Sequence, residues 1–154
     1  MSMPFRLLLP RRIYDEMLAQ ALAELPNECC GLLAGRMEGE ADAAAAEPPP
    51  LRLARVLRRY PLVNKKASPT RYLSEERSLI DADRDARQNS LEFLAIYHSH
   101  PTSDPVPSRT DLEENYWDGV MHFIISMKHV PPLMRGWWLS ETDYRPADWQ
   151  MIDL

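Results

Sequence analysis

The chain has 154 residues, 45% of them hydrophobic and 27% charged, and a formal net charge of −5. That length suits one domain with a sizeable core, and the acidic balance argues against nucleic acid as the main partner. No apolar run reaches the roughly 18 residues of a membrane span. The first apolar block, Leu7 to Leu9, is far short of the about 7–15 residues a secretion signal needs, so a cytoplasmic protein with no membrane partner is expected.

Phe5 to Leu9 reads as a short strand, and Pro10 then opens a helix, where its missing N–H costs nothing. Ile13, Met17, Ala21 and Leu25 recur every fourth residue and predict one apolar stripe, which Pro26 and Asn27 end. Cys29 to Arg36 reads as a buried strand whose glycines point to close packing or a bulge. Cys29 and Cys30 are the only cysteines. Adjacent Cα atoms lie about 3.8 Å apart, below the roughly 4.4 Å at which disulfide geometry begins. Two free thiols, at least one of them packed inward, fit a reducing compartment.

Residues 37–50 are low in complexity and turn-rich, an insertion loop expected to be exposed and mobile within a single domain spanning 1–154. Leu51 to Val63 returns to strand character. Its basic cluster, Arg52, Arg55, Arg58 and Arg59, reads as a solvated strand face in preference to a nucleic-acid patch. Arg71 to Leu73 is a candidate short strand after a polar loop. Ser74, Glu75 and Glu76 start a helix running to about Gln88, with Leu79, Ile80 and Ala86 inward.

Leu91 to Ser99 is the clearest central strand, and a short helix follows from Arg109 to about Trp117. Val120 to Met127 and Leu133 to Ser140 are two further strands, joined by a turn containing His129. In the second of them Trp137 and Trp138 must send one ring to each face. Asp143 to Leu154 ends the chain in a short strand or an irregular tail. The order β-α-β-β-α-β-α-β-β predicts an α/β fold of the α+β kind, a mixed sheet with helices packed on it.

The chemistry gathers at the end of the central strand. His98 and His100 alternate with Ser99, so both imidazoles project to one side. Alone, such a pair is more often two unremarkable strand-end histidines than a metal site. Ser108-x-x-Asp111 is close to a capping box, yet a helix N-terminus also holds a carboxylate in a fixed direction. Two histidines and one carboxylate together form the ligand set of a catalytic zinc whose fourth position is open to water. The remaining requirement is a carboxylate base that is not a ligand. Asp104 is a weak substitute ligand, and His122, in an apolar strand, reads as a satisfied core or surface histidine.

His98-Ser99-His100, seven residues beginning with Pro101, and then Ser108-x-x-Asp111 resemble the signature of the JAMM/MPN+ zinc metalloproteases. Glu28-Cys29-Cys30-Gly31-Leu32-Leu33-Ala34-Gly35 is similar to that family's E-x-C-G-L-L-x-G, and Asn64 to Tyr72 to its N-x-x-x-S-P-x-x-Y. The resemblance implies a cytidine-deaminase-like JAMM/MPN core and one Zn²⁺ per chain, held by His98, His100 and Asp111. It implies Glu28 as general base and Ser108 as a donor to the oxyanion, while Ser99 braces the loop. Compact prokaryotic members act on ubiquitin-like or β-grasp sulfur-carrier proteins ending in Gly-Gly, whose tail would pair along a sheet edge; a homodimer is left open. A non-catalytic MPN scaffold and a purely structural zinc are the competing readings.

Overall fold

The computed structural model describes residues 5–38 and 51–153. In chain order its elements are β1 (Phe5–Pro10), α1 (Arg11–Ala23), β2 (Cys30–Glu38), β3 (Arg52–Leu62), α2 (Glu76–Gln88) and β4 (Glu92–His100). α3 (Arg109–Glu113), β5 (Met121–Ser126), β6 (Leu133–Leu139), β7 (Tyr144–Pro146) and β8 (Trp149–Ile152) complete it. The strands form one mixed sheet in the order β7-β6-β5-β4-β2-β3-β1-β8. β2 runs antiparallel to both β3 and β4, β4 is parallel to β5, and β1 lies parallel to β3 and β8. The C-terminal segment therefore carries two strands in place of one strand or a tail.

Each face of the sheet carries its own core. The α1 stripe of Ile13, Met17 and Ala21 packs with Leu7, Leu33, Tyr97 and Phe123; Leu25 lies past the helix end and is exposed. On the other face, Ala82 of α2 meets Cys30, Leu32, Leu62 and Ile96. The small residues Ala82 and Ala86 bring α2 onto the sheet, and Ile80, expected inward, is exposed. Glu75, not Ser74, caps α2 by accepting from the Arg77 N–H, because Ser74 is tied in a β-bridge to Asn64.

Close packing explains two glycines. A Cβ at Gly31 would enter the Tyr97 ring, and one at Gly35 would enter the Arg55 carbonyl, beside a register shift at Ala34/Gly35. Both cysteines are buried and free, one toward each core. Trp138 packs edge-on against Phe5, while Trp137 turns to the opposite face and donates to the Pro105 carbonyl.

Arg71 to Leu73 forms no strand, since Asn64 takes its backbone groups: Nδ2 donates to Arg71 O and Oδ1 accepts from Leu73 N–H. α3 stops at Glu113 and not near Trp117, where the Asn115 side chain accepts from the Trp117 N–H in a turn. Met37 and Glu38 close β2; the rest of the expected 37–50 loop lies outside the described residues. Arg55, Arg58 and Arg59 pair with Glu38, Asp85 and Glu16, so three of the four basic residues face carboxylates. No helix among the described residues is long and apolar enough to cross a membrane.

Candidate metal centre

The alternation of β4 decides which side chains meet. Tyr97 points into the α1 core and Ile96 into the α2 core, so His98 and His100 emerge on the α2 side at the strand's C-terminal end. Cys30 pairs with His98 across the antiparallel β2–β4 ladder, which brings Glu28, two residues earlier, opposite His100 on the same face. Ser99 fastens this junction from the other side. Its Oγ accepts from the Cys29 N–H at 2.8 Å, and its own N–H donates to the Cys29 carbonyl at 3.1 Å. Ser99 thus braces the loop and stays off the site.

α3 brings in the third group. Ser108 Oγ accepts from the Asp111 N–H at 3.0 Å, and Asp111 Oδ2 accepts from the Ser108 N–H at 2.8 Å, a complete capping box. The cap aims the Asp111 carboxylate at both imidazoles: Oδ1 lies 3.2 Å from His98 Nε2 and Oδ2 lies 3.1 Å from His100 Nε2. The two Nε2 atoms are themselves 3.2 Å apart. Ligand atoms about 2.0–2.1 Å from a tetrahedral ion stand about 3.3 Å from one another, so the two imidazoles are spaced as one edge of such a tetrahedron, and Asp111 presents one oxygen to each of them.

The tautomer agrees with that geometry. His100 Nδ1 lies 2.8 Å from the Asp104 carbonyl, which can only accept, so this nitrogen carries the proton and Nε2 offers its lone pair. Two imidazole nitrogens at this distance share either a proton or a cation. Burial alone would raise the Asp111 carboxyl, but its contacts with His98 and His100 in the metal-free site and the hydrogen bond from the Ser108 backbone hold it well below the usual carboxylate range. The residues present fit a small tetrahedral cation.

Glu28 is 2% exposed, and its Oε2 has no hydrogen-bond partner. A carboxylate oxygen of Glu28 and one ring nitrogen each of His98 and His100 lie within 4.8 Å of one another. Two three-ligand sets therefore share the histidines, one completed by Asp111 and one by Glu28. Their carboxyls are tuned in opposite directions. Burial pushes Glu28 up to about 8, a rise that His100 opposes and Asp111 and Glu114 reinforce. One group is held as an anion against the imidazoles, and the other is poised to exchange a proton near neutrality.

The N-x-x-x-S-P-x-x-Y stretch, to which the sequence alone attached no role, holds Glu28 in place. The Ser68 carbonyl accepts from the Glu28 N–H at 2.8 Å, Asn64 Nδ2 donates to the Glu28 carbonyl at 3.0 Å, and Tyr72 stacks on His98 with ring centroids 4.6 Å apart. A cleft of about 430 Å³ opens beside Asp111, walled by Lys66, Tyr72, Leu79, Glu114 and Trp117. The expected sheet edge is not beside the histidines: β4 is central, and the edges are β7 and β8. An extended chain at the site would meet the 64–74 loop instead.

The remaining candidates separate cleanly. The Asp104 side chain pairs with His129 and Lys128 and serves the site only through its carbonyl. Burial raises both thiols, Cys29 to about 11 and Cys30 to about 12, which leaves them as packing residues. His122 is buried as expected, but its Nε2 is not satisfied.

Residues 10–140 match the family described as prokaryotic homologs of the JAB domain. The chain is 35% identical over 129 residues to a probable TtuB-protein conjugate cleaving protease of Thermus thermophilus, covering 77% of this chain and 76% of that one. It is 34% identical over 110 residues to a desampylase of Haloferax volcanii, covering 69% and 67%. A solution structure of a Desulfitobacterium hafniense protein superposes with a TM-score of 0.81 at 28% identity, over 96% of this chain and 94% of that one.

Proposed function

From its membership of the prokaryotic JAB-domain family, to which this chain belongs as a JAMM-type metallopeptidase, we propose a zinc-dependent hydrolase of the amide bond after a C-terminal Gly-Gly. Its substrate is a ubiquitin-like or β-grasp sulfur-carrier protein joined to an amine, in line with the conjugate cleaving protease and desampylase it resembles. The chain acts as a single domain in the cytoplasm, where the free, buried Cys29 and Cys30 stay reduced.

His98, His100 and Asp111 would hold Zn²⁺. A zinc ion there supplies Lewis-acid activation of a water and of the scissile carbonyl. Glu28 takes the proton of the attacking water on its unpartnered Oε2 and passes it to the leaving nitrogen. Ser108 Oγ already accepts from the Asp111 N–H, so its hydroxyl hydrogen is free to donate to the carbonyl oxygen as that becomes an oxyanion. The buried Glu28 carboxylate facing the two imidazoles is the observation that carries this reading. A non-catalytic scaffold has no need of such an acid, and a structural zinc closed by Glu28 as a fourth ligand would lose its metal in Glu28→Gln, where a base would not.

The test is cleavage of Gly-Gly-tailed β-grasp fusions by protein of measured zinc content. One zinc per chain and release of the tail are expected. Protein that holds stoichiometric zinc yet turns over no such fusion would overturn the hydrolase.

A further inference from the structure

The metal centre leaves one ligand without its outer partner. His98 turns Nε2 toward His100 and Asp111, and its other nitrogen, Nδ1, is buried and unpartnered. A ring that offers its Nε2 lone pair to a cation carries its proton on Nδ1, and such a donor is normally held by a carboxylate, a carbonyl or a water. Among the described residues no group holds this one.

A second orphan lies on the same face of the sheet. His122 on β5 pairs with Ile96 across the parallel β4–β5 ladder, so it projects on the face that carries Ile96 and His98. It is 3% exposed and its Nε2 is unpartnered. A neutral imidazole protonated on Nδ1 leaves Nε2 with a lone pair that can accept.

The two orphans can therefore be complementary, His98 Nδ1–H as donor and His122 Nε2 as acceptor. Strand spacing and rise place such diagonal positions roughly 8 Å apart at Cα, and since neither nitrogen bonds the other, one intervening water is what would join two imidazoles across that gap.

We propose that His122 is a positioning residue for the metal centre, its Nε2 accepting from one water that in turn accepts the His98 Nδ1–H. It would fix the tautomer and ring angle of His98, a part usually played by a carboxylate or carbonyl. The inference rests on the zinc reading above.

Zn²⁺ affinity, measured by competition with a chelator, tests it without recourse to activity. Loss of the acceptor in His122→Leu is expected to weaken binding about 10–100-fold, the usual cost of losing such a partner. His122→Gln, whose amide oxygen reaches where Nε2 stood, recovers most of that loss. Long-range ¹⁵N spectra of the zinc-loaded wild type should show the His98 and His122 protons both on Nδ1. A His122 proton on Nε2 overturns the inference even if the leucine variant fails to fold. So does a folded His122→Leu that binds Zn²⁺ as tightly as wild type, which leaves the zinc reading standing. A wild type that binds no Zn²⁺ removes both.

Discussion

The two faces of β4 are built to opposite rules. On the α1 side, Tyr97 is fully buried and its hydroxyl is bonded to Gln20 and Arg59, while Ser99 Oγ is bonded to the Cys29 N–H. On the α2 side, within the same nine-residue strand, His98 Nδ1 is an orphan and two imidazole nitrogens face each other and two carboxyls. A buried polar group without a partner costs about 1–3 kcal/mol, so a fold tolerates several together only where something outside the chain completes them. One face of β4 stabilises the protein and the other holds its chemistry.

The largest expected effect lies on the second face. Glu28→Gln keeps the shape and the ladder position but cannot accept a proton. Hydrolysis should fall about 10²–10⁴-fold with zinc content unchanged. A variant that keeps full activity would remove Glu28 from the mechanism, and one that loses zinc would make it a ligand in place of Asp111.

Next comes a dependence of stability on pH in metal-free protein. Glu28 is raised from 4.5 to about 8 in the fold, so between those values the folded chain holds a proton that the unfolded chain has released. Its contribution to stability is therefore lost as pH rises through that window. His122, lowered from 6.5 to about 4, acts in the opposite sense below pH 6.5, and the raised His100 acts in the same sense as Glu28. The comparison that isolates Glu28 is thus wild type against Glu28→Gln from pH 6.5 to 8. Denaturant titrations should show the variant gaining on wild type by up to a few kcal/mol. Saturating zinc should reverse the wild-type trend, because the ligand set binds in its deprotonated form. A difference between the two proteins that does not change with pH would mean Glu28 is ionised in the empty site.

On the first face, Gly31→Ala pushes a methyl group into the Tyr97 ring. Overpacking of this kind costs about 1–3 kcal/mol, visible as a lowered midpoint of unfolding. Tyr97 points away from the metal ligands, so the folded fraction should keep its turnover per bound zinc.

How far the sequence carried the argument follows from the range of each interaction. The side shared by His98 and His100 needs only the two-residue period of a strand, and the Ser108–Asp111 cap needs only four consecutive residues, so both were legible. Glu28 was not legible on local grounds. It reaches the site through the β2–β4 register, between segments far apart in the chain, and only resemblance to a family marked it. The complementarity of His98 and His122 hangs on a second register, the parallel β4–β5 ladder, and nothing local encodes it. Helix faces failed where periodicity was read as burial. α2 rests on Ala82 and Ala86 and leaves Ile80 in solvent, because small residues bring a helix close where a larger one would hold it off. Asn64 and Tyr72 had a spacing signal, but their tasks became apparent only once the loop was seen wrapped around Glu28.

The smallest expected effect is the most searching test of the contrast between the faces. Tyr97→Phe deletes a hydroxyl that donates to Gln20 Oε1 and accepts from Arg59 Nη1 at 3.2 Å. Gln20 is not orphaned by the change, since Arg59 Nη1 still donates to its Oε1 at 2.9 Å. The cost should be about 1 kcal/mol, that of one hydrogen bond whose partners find each other. Tyr97 and His98 are neighbours in sequence, but the ring of one lies against α1 and that of the other against Tyr72. Zinc affinity and turnover should therefore stay at wild-type values. A tenfold loss of affinity in this variant would mean that β4 transmits a change of packing from one face to the other, and stability and chemistry would no longer be separable along it.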